Sequence, residues 1–496
     1  MLLLGLDIGT SSIKASVVDA DTQTVIASAQ YPDIEAPISS PHAGWAEQDP
    51  EMWWNNSVEA IKRVIASGKF DPKAIGAIGI AYQMHGLVMV DKDKNVLRPS
   101  IIWCDSRAVE IGQKAFENIG EDICLSHLLN SPGNFTASKL AWVQENEPHI
   151  YEQCDKIMLP GDYIAMKLTD EITTSNSGLS EGIFWDFQSD DVSTDILDYY
   201  EFDENLIPEI RPVFSEHGKT TAQVAALLGI NAGVPVTYKA GDQPNNALSL
   251  DVLNPGEIAA TAGTSGVVYA VSDQISYDPQ SRINSFAHVN HGLNGENRIG
   301  ILLCINGTGI LNRWVKDNFG KDLNYVQMNE MASKVRAGSD GLLIMPFGNG
   351  AERMLNNRIV GSQILNLDFN IHTQGHIFRA AQEGIAFSLK YGFDMMQANG
   401  VSPKVIKAGK ANMFLSDVFS SALVNATNTP VELYDTDGAK GAALGAGFGV
   451  KYFGSLKESF SKLTKLKVIE PYAAQVAEYQ EVYSKWESKL NSILQS

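Results

Sequence analysis

The sequence predicts an α/β protein of two domains hinged around a central cleft, and three observations predict it. The first is a duplication. Gly-Thr-Ser occurs at Gly9-Thr10-Ser11 and again at Gly263-Thr264-Ser265, slightly more than half the chain apart, each time between two apolar runs. Both copies read as strand, tight polar turn, strand. The second is length: 496 residues exceed one compact core and, at about 150 residues per domain, suit two or three domains or two large ones. The third is the alternation of apolar strand-like runs with helix-periodic stretches and the lack of any low-complexity linker, which favours domains that hinge.

In the first half, Leu2 to Ile8 and Ile13 to Val18 flank the first turn, and Val25-Ile26-Ala27 supplies a third strand before a polar loop around Ser39-Ser40-Pro41-His42. A helix then begins at Asp49-Pro50: Asp is a good N-cap, Pro suits the first helical position, and Trp54, Val58, Ile61 and Ile65 recur at spacings of three and four. Ile75 to Ile80 is a strand ending in the polar tip Tyr82-Gln83-Met84-His85-Gly86, followed by Leu87 to Val90 and a charged turn at Asp91 to Asn95. Ile101 to Arg107 is expected to carry a strand into a polar end, and a helical tract contains Lys139 to Val143. From Pro160 to about Glu216 the chain is mixed, acidic and aromatic-rich, without a clear period. Val234 to Ala240 is a strand ending in Gly241-Asp242-Gln243-Pro244, with a helix opening over Asn245 to Leu250.

The domain boundary is expected just beyond it, giving domains 1–247 and 248–496. The second half repeats the hairpin with Glu257 to Ala262 and Gly266 to Tyr269, adds strands near Gly300 to Cys304 and Leu342 to Pro346, and has a helix over Gln374 to Gln397 capped by Thr373. Val405 to Ala408 is a strand meeting Gly409-Lys410-Ala411-Asn412. The small residues of Gly438 to Ala446 let a helix backbone pack closely or let a flat ligand approach it. From about Ala473 the tail is an amphipathic helix with Val476, Tyr479, Val482, Tyr483 and Trp486 on its apolar face.

Bulk properties exclude several functions. The formal charge of -20 argues against a nucleic-acid or anionic-membrane partner, because the protein's own field repels both. Cys104, Cys124, Cys154 and Cys304 lie without any Cys-x-x-Cys pair, which fits thiols in a reducing compartment and makes the cytoplasm the expected location. No stretch reads as a signal peptide or a membrane span. At the two Gly-Thr-Ser turns, glycine permits the backbone angles needed, and successive N–H groups with Thr and Ser hydroxyls can converge on an anion. One such turn is ordinary hairpin chemistry; two in matching contexts suit a polyphosphate.

The motifs in order are Asp7-Ile8-Gly9-Thr10-Ser11-Ser12-Ile13-Lys14, Trp45-Ala46-Glu47-Gln48-Asp49-Pro50, Gln83-Met84-His85-Gly86, Leu97-Arg98-Pro99, Trp103-x-Asp105-x-Arg107, Lys139-x-x-Trp142, Gly241-Asp242, Ala262-Gly263-Thr264-Ser265 and Gly441-Ala442-Ala443-x-Gly445-Ala446. In that order and spacing the chain resembles, over nearly its whole length, the FGGY-type sugar kinases and, among them, the xylulokinase branch. The resemblance implies two ribonuclease-H-like domains of the actin-like ATPase fold, each a five-stranded sheet with flanking helices, with ATP and Mg²⁺ bound in the cleft between them. It also implies phosphorylation of the terminal hydroxyl of D-xylulose, and, by analogy, a homodimer.

Phosphoryl transfer asks for a γ-phosphate held in line, its charge met by metal and dipoles, and an oriented hydroxyl. The two turns, Gly9-Thr10-Ser11 and Gly263-Thr264-Ser265, are expected to hold phosphates, and Gly409, Lys410, Ala411 and Asn412 to line the adenosine site. Asp7, where the first strand meets its turn, is the expected Mg²⁺ ligand, since that ion prefers oxygen donors. Asp242, after a glycine at the end of an apolar strand, matches the family's general base. Gln83, Met84, His85, Gln243 and Asp105 are expected at the sugar, with Trp45, Gln48 and Arg107 lining or bracing the pocket.

Three features depart from the family. Gln243-Pro244 stands where xylulokinases usually have Asn, a form more typical of the glycerol kinase branch. Ala408-Gly409-Lys410-Ala411 replaces three consecutive glycines, and Gly348-Asn349-Gly350-Ala351-Glu352-Arg353-Met354 replaces Ser-Gly-Glu-Arg-Thr-Pro. Another ketose or a polyol such as glycerol is therefore the alternative substrate, and an actin- or chaperone-like ATPase the remote one. His288-x-x-His291 and His372-x-x-x-His376 have metal-like spacing, but a polar loop and a helix start containing Gly375 speak against a site at either.

Overall fold

The computed structural model describes residues 1–495. The chain divides into two compact units, one of residues 1–251, 285–299 and 436–463, the other of residues 252–284, 300–435 and 464–496.

In the first unit, β1 (Leu2–Ile8) pairs antiparallel with β2 (Ile13–Asp19), and β2 with β3 (Thr24–Tyr31). β4 (Ile75–Tyr82) lies parallel to β1 on its other side, and β5 (Val236–Gly241) lies parallel to β4, giving the order β5-β4-β1-β2-β3. β1, β4 and β5 are buried along almost their full length, as near-continuous apolar runs in a sheet covered on both faces should be. One cover is the helix Pro50–Ala66, whose N-cap Asp49 accepts from the Glu51 N–H and whose Trp53, Trp54, Ile61 and Val64 enter the core. The other is the helix Gly438–Gly449. A Cβ at Gly5 would collide with the Ala439 carbonyl and one at Gly79 with the Ala442 carbonyl, so the sheet's own glycines admit that helix backbone. Close packing on the sheet is thus what the small residues of 438–446 serve. It is also why 436–463, placed by sequence in a 248–496 domain, folds with the first unit.

In the second unit β6 (Glu257–Ala262) and β7 (Gly266–Ser272) form the hairpin, β8 (Ile299–Ile305) lies beside β7, and β9 (Val405–Gly409) and β10 (Val431–Tyr434) extend the sheet in parallel beyond β6. The order β10-β9-β6-β7-β8 is that of the first sheet, so the duplicated turn reports a duplicated topology. β11 (Lys465–Ile469) adds an antiparallel strand beyond β10, which the expected five-stranded sheet lacks. The helix Gln374–Ala398, with Thr373 and His376 in a capping box, packs on this sheet, and the tail helix Ala473–Gln495, burying Tyr479, Tyr483 and Trp486, packs on that helix and on the helix Asp417–Thr427. The protein is α/β, with two ribonuclease-H-like domains of the actin-like ATPase fold. Among the described residues no helix is long and apolar enough to cross a membrane.

Two local expectations are corrected. Of the segment 101–107 only Ile101, at the end of the strand Ser100–Ile101, is extended, because Asp105 folds the following residues into turns by accepting from the Arg107 and Ala46 N–H groups. The helix after β5 starts at Asp242, three residues earlier than expected, and Pro244 is accommodated in its first turn, where no intrahelical N–H is needed.

Candidate active site

The parallel register of the first unit puts Ile8, Tyr82 and Gly241 side by side at the carboxyl ends of β1, β4 and β5. The residues that follow them are the turn Gly9-Thr10-Ser11, the tip Gln83-Met84-His85-Gly86 and Asp242. Three of the groups singled out from sequence are thereby brought to one edge of one sheet, the edge at which parallel α/β sheets bind ligands.

Asp7, one residue short of the end of β1, is half-buried and its pKa is raised to about 6, chiefly by burial and then by the charge of Asp437, with Lys14 opposing. Lys14 faces Asp7 across the hairpin but is itself paired with Asp437, Nζ to Oδ2 at 2.8 Å. A Cβ at Gly438 would run into the Asp7 carboxylate, so the helix Gly438–Gly449 begins directly against it. Asp242 is raised further, to about 7, by burial first and the charge of Asp7 second, while the Gln243 amide, 3.1 Å from Oδ2, pulls it down. A carboxyl with a pKa there can take a proton near neutral pH.

The turn and the tip are joined by hydrogen bonds. The Thr10 hydroxyl donates to Gln83 Oε1 at 3.0 Å and accepts from Trp103 Nε1 at 3.0 Å. Gln83 Nε2 donates to Gln48 Oε1, which also accepts from Trp53 Nε1, and Gln48 Nε2 donates to the Thr10 carbonyl at 2.8 Å. Gln83 and Gln48 are therefore tied to the phosphate-type turn rather than only to a pocket wall. His85 sits at φ 62°, a left-handed conformation costing about 1 kcal/mol for a non-glycine residue. Lys139 Nζ holds that conformation by donating to the His85 carbonyl at 2.7 Å, and Phe135 and Phe286 pack on the imidazole with ring centroids 4.9 and 5.5 Å away. Met84 is buried against Gly241, where a Cβ would lie 2.6 Å from its Cγ.

Asp105 is buried and committed elsewhere: Arg107 donates to both its oxygens at 2.7–3.0 Å and the Ala46 N–H to Oδ2 at 2.6 Å. Arg107 in turn lies 3.7 Å over the Trp45 ring and pairs with Glu47. Both oxygens of Asp105, expected at the sugar, are thus occupied by Arg107 and the Ala46 N–H.

The second unit holds its own pocket. A cavity of about 330 Å³ opens beside the second turn, with Gly263, Thr264, Arg313, Tyr325, Asn329 and Asn412 in its wall. The helix Gly309–Phe319 starts on the turn, its Gly309 and Ile310 N–H groups donating to the Gly263 and Thr264 carbonyls at 2.8 and 3.1 Å. Of the 409–412 segment, Asn412 reaches this wall; Lys410 is exposed and its N–H donates to the Tyr434 carbonyl. Gly409, Ala411 and Ser265 are not among the lining residues. Arg313, Tyr325 and Asn329 went unread in the sequence because no turn or motif marks them; they enter through the helices that pack on the hairpin. Lys139 was visible only as part of a motif, and Glu181, buried behind Asp242, lay in the stretch without a period.

A divalent cation suits what is present at Asp7: an oxygen donor near a strand end, raised in pKa by burial and then by the Asp437 carboxylate, with the facing lysine already paired. Neither histidine pair forms a metal cluster among the described residues.

Two family models match the chain: the N-terminal domain of the FGGY family of carbohydrate kinases over residues 2–249 and its C-terminal domain over residues 258–448. The xylulose kinase of Staphylococcus xylosus is 27% identical over 496 residues, covering 97% of this chain and 98% of that protein. That of Escherichia coli (strain K12) is 28% identical over 447 residues, covering 90% and 88%. Among solved structures, xylulose kinase from Rhodospirillum rubrum matches with a TM-score of 0.89 and 25% identity over the whole of both chains. Plasmodium falciparum glycerol kinase with ADP matches in fold, with a TM-score of 0.87 at 20% identity over 98% of each chain.

Proposed function

Since the chain belongs to the FGGY family of carbohydrate kinases, and is thereby a phosphotransferase with an alcohol group as acceptor, we propose that it transfers the γ-phosphoryl group of ATP to the terminal hydroxyl of D-xylulose, giving D-xylulose 5-phosphate and ADP. The observation that carries this reading is Asp242: a carboxyl at the carboxyl end of β5, beside Asp7 and the Met84–His85 tip, with a pKa near 7. In the proposal residues 1–247 hold the sugar and the base, and residues 248–496 hold the nucleotide at the Gly263–Ser265 turn and the cavity beside it. Gln83, Met84, His85, Asp242 and Gln243 face the sugar, with Asp105 behind them as a brace. The 409–412 segment adds to the nucleotide contacts of its own unit, and Gly9, Thr10 and Ser11 form the phosphate-type turn of the first unit. The working form is a cytoplasmic homodimer.

The ionised Asp242 orients the sugar hydroxyl and takes its proton as the oxygen bonds to phosphorus, and ADP leaves with the electron pair of the broken P–O bond. Asp7 would hold Mg²⁺, which when bound neutralises phosphate charge. The N–H groups and hydroxyls of the two turns meet the remaining negative charge.

A second reading, the same chemistry on another ketose or a polyol, is favoured by Gln243-Pro244 and by the Gln243 Oε1 atom, buried without a hydrogen-bond partner among the described residues. A coupled ADP-release assay with Mg-ATP against D-xylulose, L-xylulose, D-ribulose, L-ribulose, glycerol and gluconate separates the two, because a polar pocket rejects analogues that leave its buried groups unpaired. D-Xylulose dominance is the expected result. Dominance of another acceptor replaces the substrate, and ATP turnover that no acceptor stimulates removes the kinase reading altogether.

A further inference from the structure

Glu181 is 2% exposed, near the end of the helix Asn176–Gly182 that Ser175 caps. Its backbone carbonyl lies 2.9 Å from His85 Nδ1, and its side chain lies against β5, where a Cβ at Gly241 would come within 2.5 Å of Oε2. The Tyr82 hydroxyl and the His85 N–H lie close enough to the carboxyl to act on its charge, while Oε1 is buried with no hydrogen-bond partner among the described residues. One side chain thus touches the residue before Asp242, the residue before Gln83 and, through its main chain, the His85 ring. It belongs to none of the motifs through which the chain resembles its family.

Among the described residues no ion pair holds Glu181, and of the groups facing it the one cation whose charge it feels is the buried Lys139, its own pKa lowered by burial to about 7. Tyr82 and His85 come from the end of β4, Asp242 from the helix after β5, Asp162 from the helix Pro160–Thr169 and Lys139 from the helix Thr136–Asn146. Asp162 is neutralised by Lys239, Nζ to Oδ1 at 2.6 Å. Lys139 donates to the carbonyls of His85 and Ile102 at 2.7 and 3.1 Å. The carboxylate of Asp242, and behind it that of the paired Asp162, repel a negative Glu181. An unpaired buried carboxylate costs several kcal/mol, so the group keeps its proton.

We propose that Glu181 is a positioning residue for phosphoryl transfer: its neutral carboxylic acid, wedged between the Tyr82 hydroxyl and the Gly241 backbone, holds Asp242 in register with the Met84–His85 tip and keeps water from the space between them. The proposal rests on the reading of Asp242 as the base. Burial, then Asp242, then Asp162 hold the Glu181 pKa well above the usual carboxylate range, which agrees with the proton it must carry. Gln has the shape and the donor of the protonated acid and cannot ionise, whereas Ala leaves a space that water can enter.

Kinetics and infrared difference spectroscopy on the full-length enzyme test this, with Glu181→Gln and Glu181→Ala compared to wild type on whichever sugar wild type accepts. The Gln variant is expected within about threefold of wild-type kcat, and the Ala variant about tenfold or more below it with an unchanged KM for ATP, since a small misplacement of reacting groups costs that much. At about pH 7, where ordinary carboxyls are ionised, wild type is expected to show a protonated-carboxyl stretch that Glu181→Gln removes. Equal loss in both variants, wild-type kcat in the Ala variant, or no such band in wild type overturns the proposal. If the Ala variant does not fold, the Gln variant and the band still decide. If no sugar is accepted, the substrate reading fails by itself, because the band is read without sugar.

Discussion

Asp242 is where function and stability pull apart. Replacing it with Asn should leave sugar binding and lower kcat by about 10²- to 10⁴-fold, the usual worth of a general base, checked by ADP release with sugar affinity measured separately. Because its working form is ionised and its pKa lies near 7, kcat/KM of the wild-type enzyme is expected to rise with pH through about 7 and level off above, and a flat profile from pH 5 to 8 would contradict the assignment. The sign for folding is opposite. Asp7 and Asp242 sit at about 6 and about 7 in the fold against 3.8 unfolded, so between about pH 4 and 7 the native state binds more protons and stability falls as pH rises. Asp242→Asn, which cannot ionise, should therefore be more stable than wild type at about pH 8, by on the order of 1–3 kcal/mol in urea unfolding, and of nearly equal stability at about pH 4. Asp242, Asp7 and the Met84–His85 tip were legible because each ends a strand with a polar residue after apolar ones. Glu181 was not, since only the three-dimensional contacts of a helix in an acidic segment make it matter.

The elements that decide the site are those whose backbones touch. The helix Gly438–Gly449 reaches β1 and β4 only because residues 5 and 79 lack a Cβ, and it starts against Asp7 only because residue 438 lacks one. Gly79→Ala should cost about 1–3 kcal/mol by overpacking, measured as a lowered urea midpoint, while a substitution at exposed Gly68, where a Cβ meets open space, has no neighbour to displace. Gly438→Ala should raise the KM for Mg-ATP more than that for sugar, because its Cβ displaces the Asp7 carboxyl and not the Met84–His85 tip. Sequence marked 438–446 as close-packing but not its partner, which is the sheet of the first unit. The helix starting at Asp49-Pro50 was readable to its first residue, because cap and proline act within three positions of each other.

For the whole molecule, two sheets of one topology carry different chemistry. The first has carboxylates, imidazole and amides at its strand ends, the second a turn, a helix start and a cavity of about 330 Å³. Ligands should therefore protect different segments from amide exchange. Mg-ATP is expected to slow exchange around 263–265, 309–313 and 412, and sugar around 82–86 and 241–243. ATP at about a hundredfold its Kd should add about 2.7 kcal/mol to unfolding free energy. Protection of 82–86 by nucleotide alone would reassign the two units.

The sequence by itself determined the class of the fold, its duplication and the polar residues that end its strands, because strand period, glycine turns and helix caps act over a few neighbouring positions. It also carried the family, through nine short motifs spread over the chain. Tertiary structure alone decided that 436–463 packs with the first sheet, that Asp105 is paired with Arg107, and that Arg313 and Tyr325 wall the second cavity. It alone placed Glu181 behind Asp242. Each of those depends on a contact between residues far apart in the chain, and the energy of such a contact, a blocked Cβ, a paired charge or an unpaired one, is not written in either segment alone.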